Sequence, residues 1–142
     1  MIRFLLDTNI ISEPLRIEPN QSVLQNMVKY ELEIAMASIT WHELLFGYYR
    51  LPHSKKKNKI TNYLHQVIKP KIPILHYDGV AAEWFANERA RLVGVGKTPA
   101  YPDGQIPAIA KTNNLILVTN NVADFSEFQN LKIENWFVDE NN

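Results

Sequence analysis

The chain of 142 residues contains no cysteine. Disulfides and thiolate metal sites are therefore excluded, and a reducing compartment fits that composition. The first residues lack a basic stretch followed by a long apolar run, so no signal peptide is expected. No apolar run nears the ~20 residues needed to span a bilayer. The expectation is a cytoplasmic protein. Net charge is missing as well: fifteen basic and fifteen acidic side chains cancel. That differs from the overall basic balance of a protein that coats nucleic acid. One further absence is local. From Leu44 to Tyr77 there is no acid, yet the segment holds Arg50, Lys55, Lys56, Lys57, Lys59, Lys69 and Lys71. Beyond Val118 the balance reverses, with Asp124, Glu127, Glu134, Asp139 and Glu140 against Lys132. Such asymmetry can orient a charged partner without a large net charge. The run "HSKKKNK" reads either as a solvated helix face or as a surface for phosphates.

What is present suits one domain over 1–142, long enough to bury about 70% of the surface its unfolded chain exposes. Strand-like apolar runs alternate with helical patterns. Ile2 to Leu6, Glu33 to Ile39, Ile74 to Tyr77 and "LILVT" (Leu115 to Thr119) read as strands, with Lys132 to Phe137 as a last edge strand. Val23 to Leu32, Trp41 to Leu51, Ile60 to Ile68 and Val80 to Val93 read as helices, the last ended by Gly94 and Gly96. A further helix runs into "LILVT". Apolar strands separated by helices predict a mainly parallel sheet covered on both faces, an α/β/α three-layer sandwich. In such sheets ligands bind beyond the carboxyl ends of the strands.

Four acids belong to that edge. Asp7 follows the first strand directly. Glu43 lies a few residues past the second, in the first turn of the next helix. Asp124 lies five residues past "LILVT", and Asp103 precedes the helix that leads into it. Carboxylates gathered in one pocket repel one another unless a cation intervenes. Hard oxygen ligands of this type suit Mg²⁺ or Mn²⁺, and such ions can activate a water and stabilise charge on a phosphodiester. Thr119 and Asn121 could orient the acids or a bound water. Each acid also has a plainer reading. Asp7 can cap a helix or make a turn. Thr40 to Glu43 fits a capping box, with Thr40 as the N-cap. Asp103 fits an N-cap, and Asp124 a turn after "TNN".

These blocks resemble the PIN-domain ribonucleases, and among them the VapC and FitB-like toxins of type II toxin–antitoxin systems. "LLDTNIISEP" (Leu5 to Pro14) is similar to their opening strand and first acid. "SITWHELLFG" (Ser38 to Gly47) is similar to the second block, with Glu43 as the second acid. "PDGQIPAIAKTNNLILVTNNVADF" (Pro102 to Phe125) is similar to the third, with Asp103 and Asp124 as the third and fourth. "LKIENW" (Leu131 to Trp136) resembles the final strand. The blocks run in order over nearly the whole chain. The resemblance implies a Mg²⁺-dependent endoribonuclease whose Asp7, Glu43, Asp103 and Asp124 are catalytic and metal-binding. It also implies structured RNA substrates, often transfer RNA, and a homodimer. A cognate VapB-like antitoxin would lay a helix in a groove and reach the acids with a basic side chain.

Pro107 departs from the pattern, standing where the family usually has alanine. Either Asp103 is the N-cap and Pro107 deletes the first intrahelical bond, or the helix begins at Pro107 and Asp103 lies on a loop. Two other functions compete. A HAD-type phosphohydrolase also ends its first strand in Asp, but needs a second acid two residues later, where this chain has Asn9. A PIN-like scaffold that binds RNA or protein without cutting is the other. Thr8 and Asn9 are expected to shape the turn rather than bind metal. Lys55, Lys56, Lys57 and Lys59 are candidate RNA contacts. Tyr48, Tyr49, Trp84 and Phe85 are candidate core residues, some of which could line a partner surface.

Overall fold

The structure is a computed structural model and describes residues 1–138. Asp139 and Glu140, part of the acidic C-terminal stretch, lie outside the described residues. The strands are short, the central three largely buried and the two edge strands half-buried: β1 (Phe4–Leu6), β2 (Ile34–Ala37), β3 (Ile74–Leu75), β4 (Ile116–Val118) and β5 (Ile133–Glu134). Among the described residues they form one five-stranded sheet in the order β3-β2-β1-β4-β5. Every pairing is parallel. Phe4 of β1 stands level with Ile34 on one side and Ile116 on the other.

Helices fill the intervals: α1 (Thr8–Ile11), α2 (Gln21–Lys29), α3 (Ser38–Tyr49), α4 (Lys55–Asn62), α5 (Lys69–Lys71), α6 (Gly79–Gly94), α7 (Tyr101–Thr112) and α8 (Val122–Phe125). A 3₁₀ turn spans Glu13–Leu15, and α4 passes into a wider π-type segment, Tyr63–Ile68. Parallel strands need helical crossovers, so both sheet faces are covered. Successive strand side chains point to opposite faces, and two cores result. Leu5, Ala35, Ala37 and Leu117 pack with Phe85 and Ile109 from α6 and α7. Phe4, Leu6, Ile34, Met36 and Val118 pack with Ile10, Ile11, Val23, Leu44 and Leu64. The α/β/α layering predicted from the alternating runs is the layering found.

Helix ends differ from expectation in two places that matter for the site. The second strand ends at Ala37, and α3 begins at Ser38 rather than Trp41, with Ala37 as a cap lacking a side-chain bond. Thr40 is therefore inside the helix, fully buried, its hydroxyl without a partner. The Thr40–Glu43 capping box does not form, because a helix begun at Ser38 carries Glu43 into its second turn. α7 follows neither expected start. It begins at Tyr101 after Ala100, with Pro102 in the first turn, where a missing N–H costs nothing. Asp103 is its third residue, and Pro107 lies buried in its interior. Proline there removes the donor that the Asp103 carbonyl would otherwise accept from. Burial of Ile106, Ala108, Ile109 and Ala110 holds the helix regardless.

α6 ends as its glycines predict. Gly96 takes φ +81°, while Gly96 N–H donates to the Val93 carbonyl and Lys97 N–H to that of Leu92, at 3.1 and 2.8 Å. This is a Schellman stop, which needs a residue tolerant of the left-handed region.

Candidate active site

The sheet order places a topological switch between β1 and β4: the chain builds outward to β3 on one side, then returns to add β4 and β5 on the other. A crevice opens at the carboxyl ends of strands at such a point. Here it is a cavity of about 400 Å³. Asp7, Glu43, Asp103 and Asp124 all line it, delivered by the end of β1, α3, α7 and α8. A second cavity of about 500 Å³ shares Asp103, Asp124 and Phe125 with it.

The four carboxylates are held very differently. Asp7 is 6% exposed. Its main-chain N–H donates to the Val118 carbonyl at 2.9 Å, fixing it against β4. Oδ1 accepts from the Thr8 N–H at 2.8 Å, so Asp7 is the N-cap of α1. Oδ2 accepts from the Thr119 hydroxyl at 2.8 Å and from Asn9 Nδ2 at 3.0 Å. A carboxylate offers about four acceptor positions, so three are used and the anion is well supported. The capping reading of Asp7 is thus correct and coexists with its place in the cavity. Glu43, Asp103 and Asp124 are exposed. Glu43 Oε2 accepts from the Thr8 hydroxyl at 2.6 Å. Asp124 sits in the one-turn helix α8 and not in a plain turn. Among the described residues, no three acid or histidine side chains already converge closely enough to hold an ion.

Thr119 is bonded to Asp7, and Asn121 lines the same cavity as the acids. Thr119 is fully buried, and its hydroxyl also accepts from the Asn121 N–H at 3.0 Å. Thr8 and Asn9 do more than shape a turn. Thr8 links Asp7 to Glu43. Asn9 links Asp7 to the segment after β4, through Asn9 Oδ1 accepting from the Asn120 N–H at 3.0 Å. Sequence reasoning missed this bracing role. Its signal was there: two hydrogen-bonding side chains directly behind a strand-end acid. Asn9 also stands where phosphatase chemistry would need an acid, and its amide donates to Asp7 instead.

Two further buried acids have structural work. Glu13 accepts from the Asn20 N–H at 2.8 Å, holding the approach to α2. Glu88 on α6 accepts from Arg91 and from the Gln129 N–H at 3.0 Å, and Arg91 reaches the Glu127 carbonyl. Burial pushes the Glu88 carboxyl up, but these donors outweigh it and leave it below its usual range. The pair ties the chain just beyond Asp124 onto α6.

The lysine segment forms the exposed helix α4, capped by Ser54. Lys57 is partly committed: its Nζ donates to the Leu51 carbonyl at 2.8 Å and lies 5.1 Å from the Tyr48 ring centre. Phe85 is core, Trp84 packs at the core edge, and Tyr49 is exposed. No helix among the described residues is long and apolar enough to cross a membrane.

Comparison with known proteins agrees with this architecture. The family model for the PIN domain matches residues 4–131. Toxin FitB of Neisseria gonorrhoeae is 39% identical over 124 residues, 85% of this chain and 89% of its own. The tRNA(fMet)-specific endonuclease VapC of Shigella flexneri is 30% identical over 139 residues, 96% of this chain and 99% of its own. A crystal structure of FitAcB from Neisseria gonorrhoeae superposes with a TM-score of 0.85 at 35% identity, covering 94% of this chain and 98% of the other. With its parallel sheet, its switch-point cavity and these relatives, the chain belongs to the PIN-domain family, within the group of VapC and FitB toxins.

Proposed function

We propose that this protein is an endoribonuclease toxin that hydrolyses RNA phosphodiesters with Mg²⁺ held by Asp7, Glu43, Asp103 and Asp124. One observation carries the reading: four carboxylates from four separate elements line one cavity at the sheet's switch point. The donor set suits a hard divalent cation, which favours all-oxygen ligands and retains waters. Asp7 supplies a fixed, pre-oriented anion. Glu43, Asp103 and Asp124 are exposed; Asp103 and Asp124 can swing toward a shared ion, while the Thr8 hydroxyl holds Glu43 at the cavity. Such an ion, when bound, stabilises charge on the phosphodiester and makes a bound water more acidic. The protein's part is to orient. Thr119 and Asn9 hold the Asp7 carboxylate, while Thr8 keeps Glu43 on the same side of the cavity.

Transfer RNA is the first substrate to test, since the Shigella relative carries that specificity in its name. A small antitoxin partner is proposed by analogy with the FitAB and VapBC complexes among the structural relatives. A homodimer and a cytoplasmic location complete the reading. The deciding experiment incubates the purified protein with transfer RNA and other defined RNAs, with Mg²⁺, with Mn²⁺ or with EDTA, and maps the ends. Cleavage is expected with either metal and none with EDTA. Metal-independent cutting would remove the metal from the mechanism, and no cutting of any RNA would favour a binding scaffold.

Lys55, Lys56, Lys57 and Lys59 are proposed to meet RNA phosphates, supported by the acid-free segment around them. Lys55, Lys56 and Lys59 are the freer three. Replacing those three with alanine should weaken RNA binding and lower the salt slope by about one for each phosphate no longer neutralised. An unchanged slope in a filter-binding titration would return α4 to ordinary solvated surface.

A further inference from the structure

We infer that Tyr63 is a positioning residue for the acid cavity, acting through α1. α1 is only four residues, far too short to persist alone. Yet it carries Thr8 and Asn9, the two side chains that brace Asp7 and Glu43. Its position therefore sets the spacing of those two acids. Besides the bonds of the Thr8 and Asn9 side chains, three restraints hold it. Asp7 caps its N-terminus. Ile10 and Ile11 are fully buried beneath it. At its far end the Ile11 carbonyl, an acceptor that no residue of so short a helix can satisfy, takes the Tyr63 hydroxyl at 2.6 Å.

That third restraint comes from 52 positions away in sequence. Tyr63 stands where α4 widens into the π-type segment, and such widenings recur near functional sites. Tyr63 lines a mainly apolar groove with Leu24, Met27, Val67 and Ile68, and its hydroxyl reaches the Ile11 carbonyl. Burial raises the Tyr63 hydroxyl's pKa well above its ordinary value, so it remains a donor across the working pH range. Loss of this bond leaves the capped end and the buried isoleucines in place and frees only the C-terminal end of α1. The expected defect is loosened cavity geometry, with the fold retained.

This inference rests on the proposed nuclease reading for its kinetic arm and on the fold alone for its second arm. Tyr63→Phe removes only the hydroxyl. Leu115→Ala, a buried residue just before β4 at the amino-terminal end of the strands, serves as a stability control. For Tyr63→Phe we expect kcat on RNA to fall about tenfold with KM nearly unchanged, as small misplacements near reacting groups do. Leu115→Ala, measured at a temperature where it stays folded, should keep the wild-type kcat. In hydrogen–deuterium exchange, the Ile11 and Ser12 amides should exchange faster in Tyr63→Phe than in the wild type, with the amides of β1 and β4 unchanged. Wild-type kcat in a folded Tyr63→Phe protein overturns the inference. So does unaltered exchange at α1. If the wild type cuts no RNA, the nuclease reading fails by itself, and the exchange experiment still decides whether Tyr63 holds α1.

Discussion

Replacing Asp7 with asparagine is expected to lower kcat/KM for RNA by about a thousandfold or more while the protein stays folded. Losing even a partner that merely orients a metal ligand costs roughly 10–100-fold, and Asp7 is the proposed ligand itself. It is also the one acid of the four that is buried and fully braced. Asparagine keeps its shape and loses its charge. The change has a structural cost as well, because the amide must turn an NH₂ toward the Thr8 N–H or toward the Asn9 and Thr119 donors. Thr119 Oγ1 already accepts from the Asn121 N–H at 3.0 Å and from Asn9 Nδ2 at 3.3 Å, so it cannot simply turn round to accept, and the cost should be about 1–3 kcal/mol for the donor left facing a donor. Circular dichroism and a thermal melt would establish the fold, and single-turnover cleavage the rate. A well-folded Asp7→Asn protein with wild-type activity would remove Asp7 from the chemistry and take the metal proposal with it.

Gly104→Ala should be the most disruptive small substitution in the molecule. In an ordinary helix this change gains about 1 kcal/mol. Here a Cβ on Gly104 would lie 1.9 Å from Cε1 and 2.0 Å from Cζ of Phe85. The Phe85 ring is 1% exposed and packed between α6 and α7, so it has nowhere to turn. Forcing the helices apart should cost about 3 kcal/mol, as overpacking of a filled core does. That corresponds to a melting temperature lower by roughly 10 °C for a chain of this size. The double variant Gly104→Ala with Phe85→Leu should recover much of the loss, since the shorter side chain vacates the ring's edge. A coupling of about 2 kcal/mol between the two sites is the expected signature. Additive effects would mean that the close approach does not govern the packing. Asp103 is the neighbour of Gly104, so the same shift should reduce activity beyond what the stability loss explains.

Much of this architecture was readable along the chain because it is local. "RFLL", "EIAMASI" and "LILVT" are apolar enough to be buried on both faces, and they alternate with longer amphipathic stretches. That pattern leaves a parallel sheet between helices as the economical solution. The helix starts were less readable. Thr40 has the chemistry of a cap and Glu43 the right spacing. Yet Ser38 and Ile39 were drawn into α3, and the helix begins before the cap signal. Pro107 looked like a boundary because an isolated helix would stop there. Buried contacts along α7 outweigh one missing hydrogen bond.

By itself the sequence determined the layer architecture, the residue types at the strand ends and the family blocks in which they stand. Those properties follow from hydrophobic periodicity and from short spacings, which act within a few residues. Only the tertiary structure decided that Asp7, Glu43, Asp103 and Asp124 share one cavity, that Asp7 and Glu43 are braced while Asp103 and Asp124 are not, and that Thr8 and Asn9 do the bracing. It alone decided that Tyr63 meets Ile11 and that the Phe85 ring lies against Gly104. These are meetings of side chains from separate crossovers. Their distances depend on strand order, helix packing and sheet register together, and no local pattern records that sum.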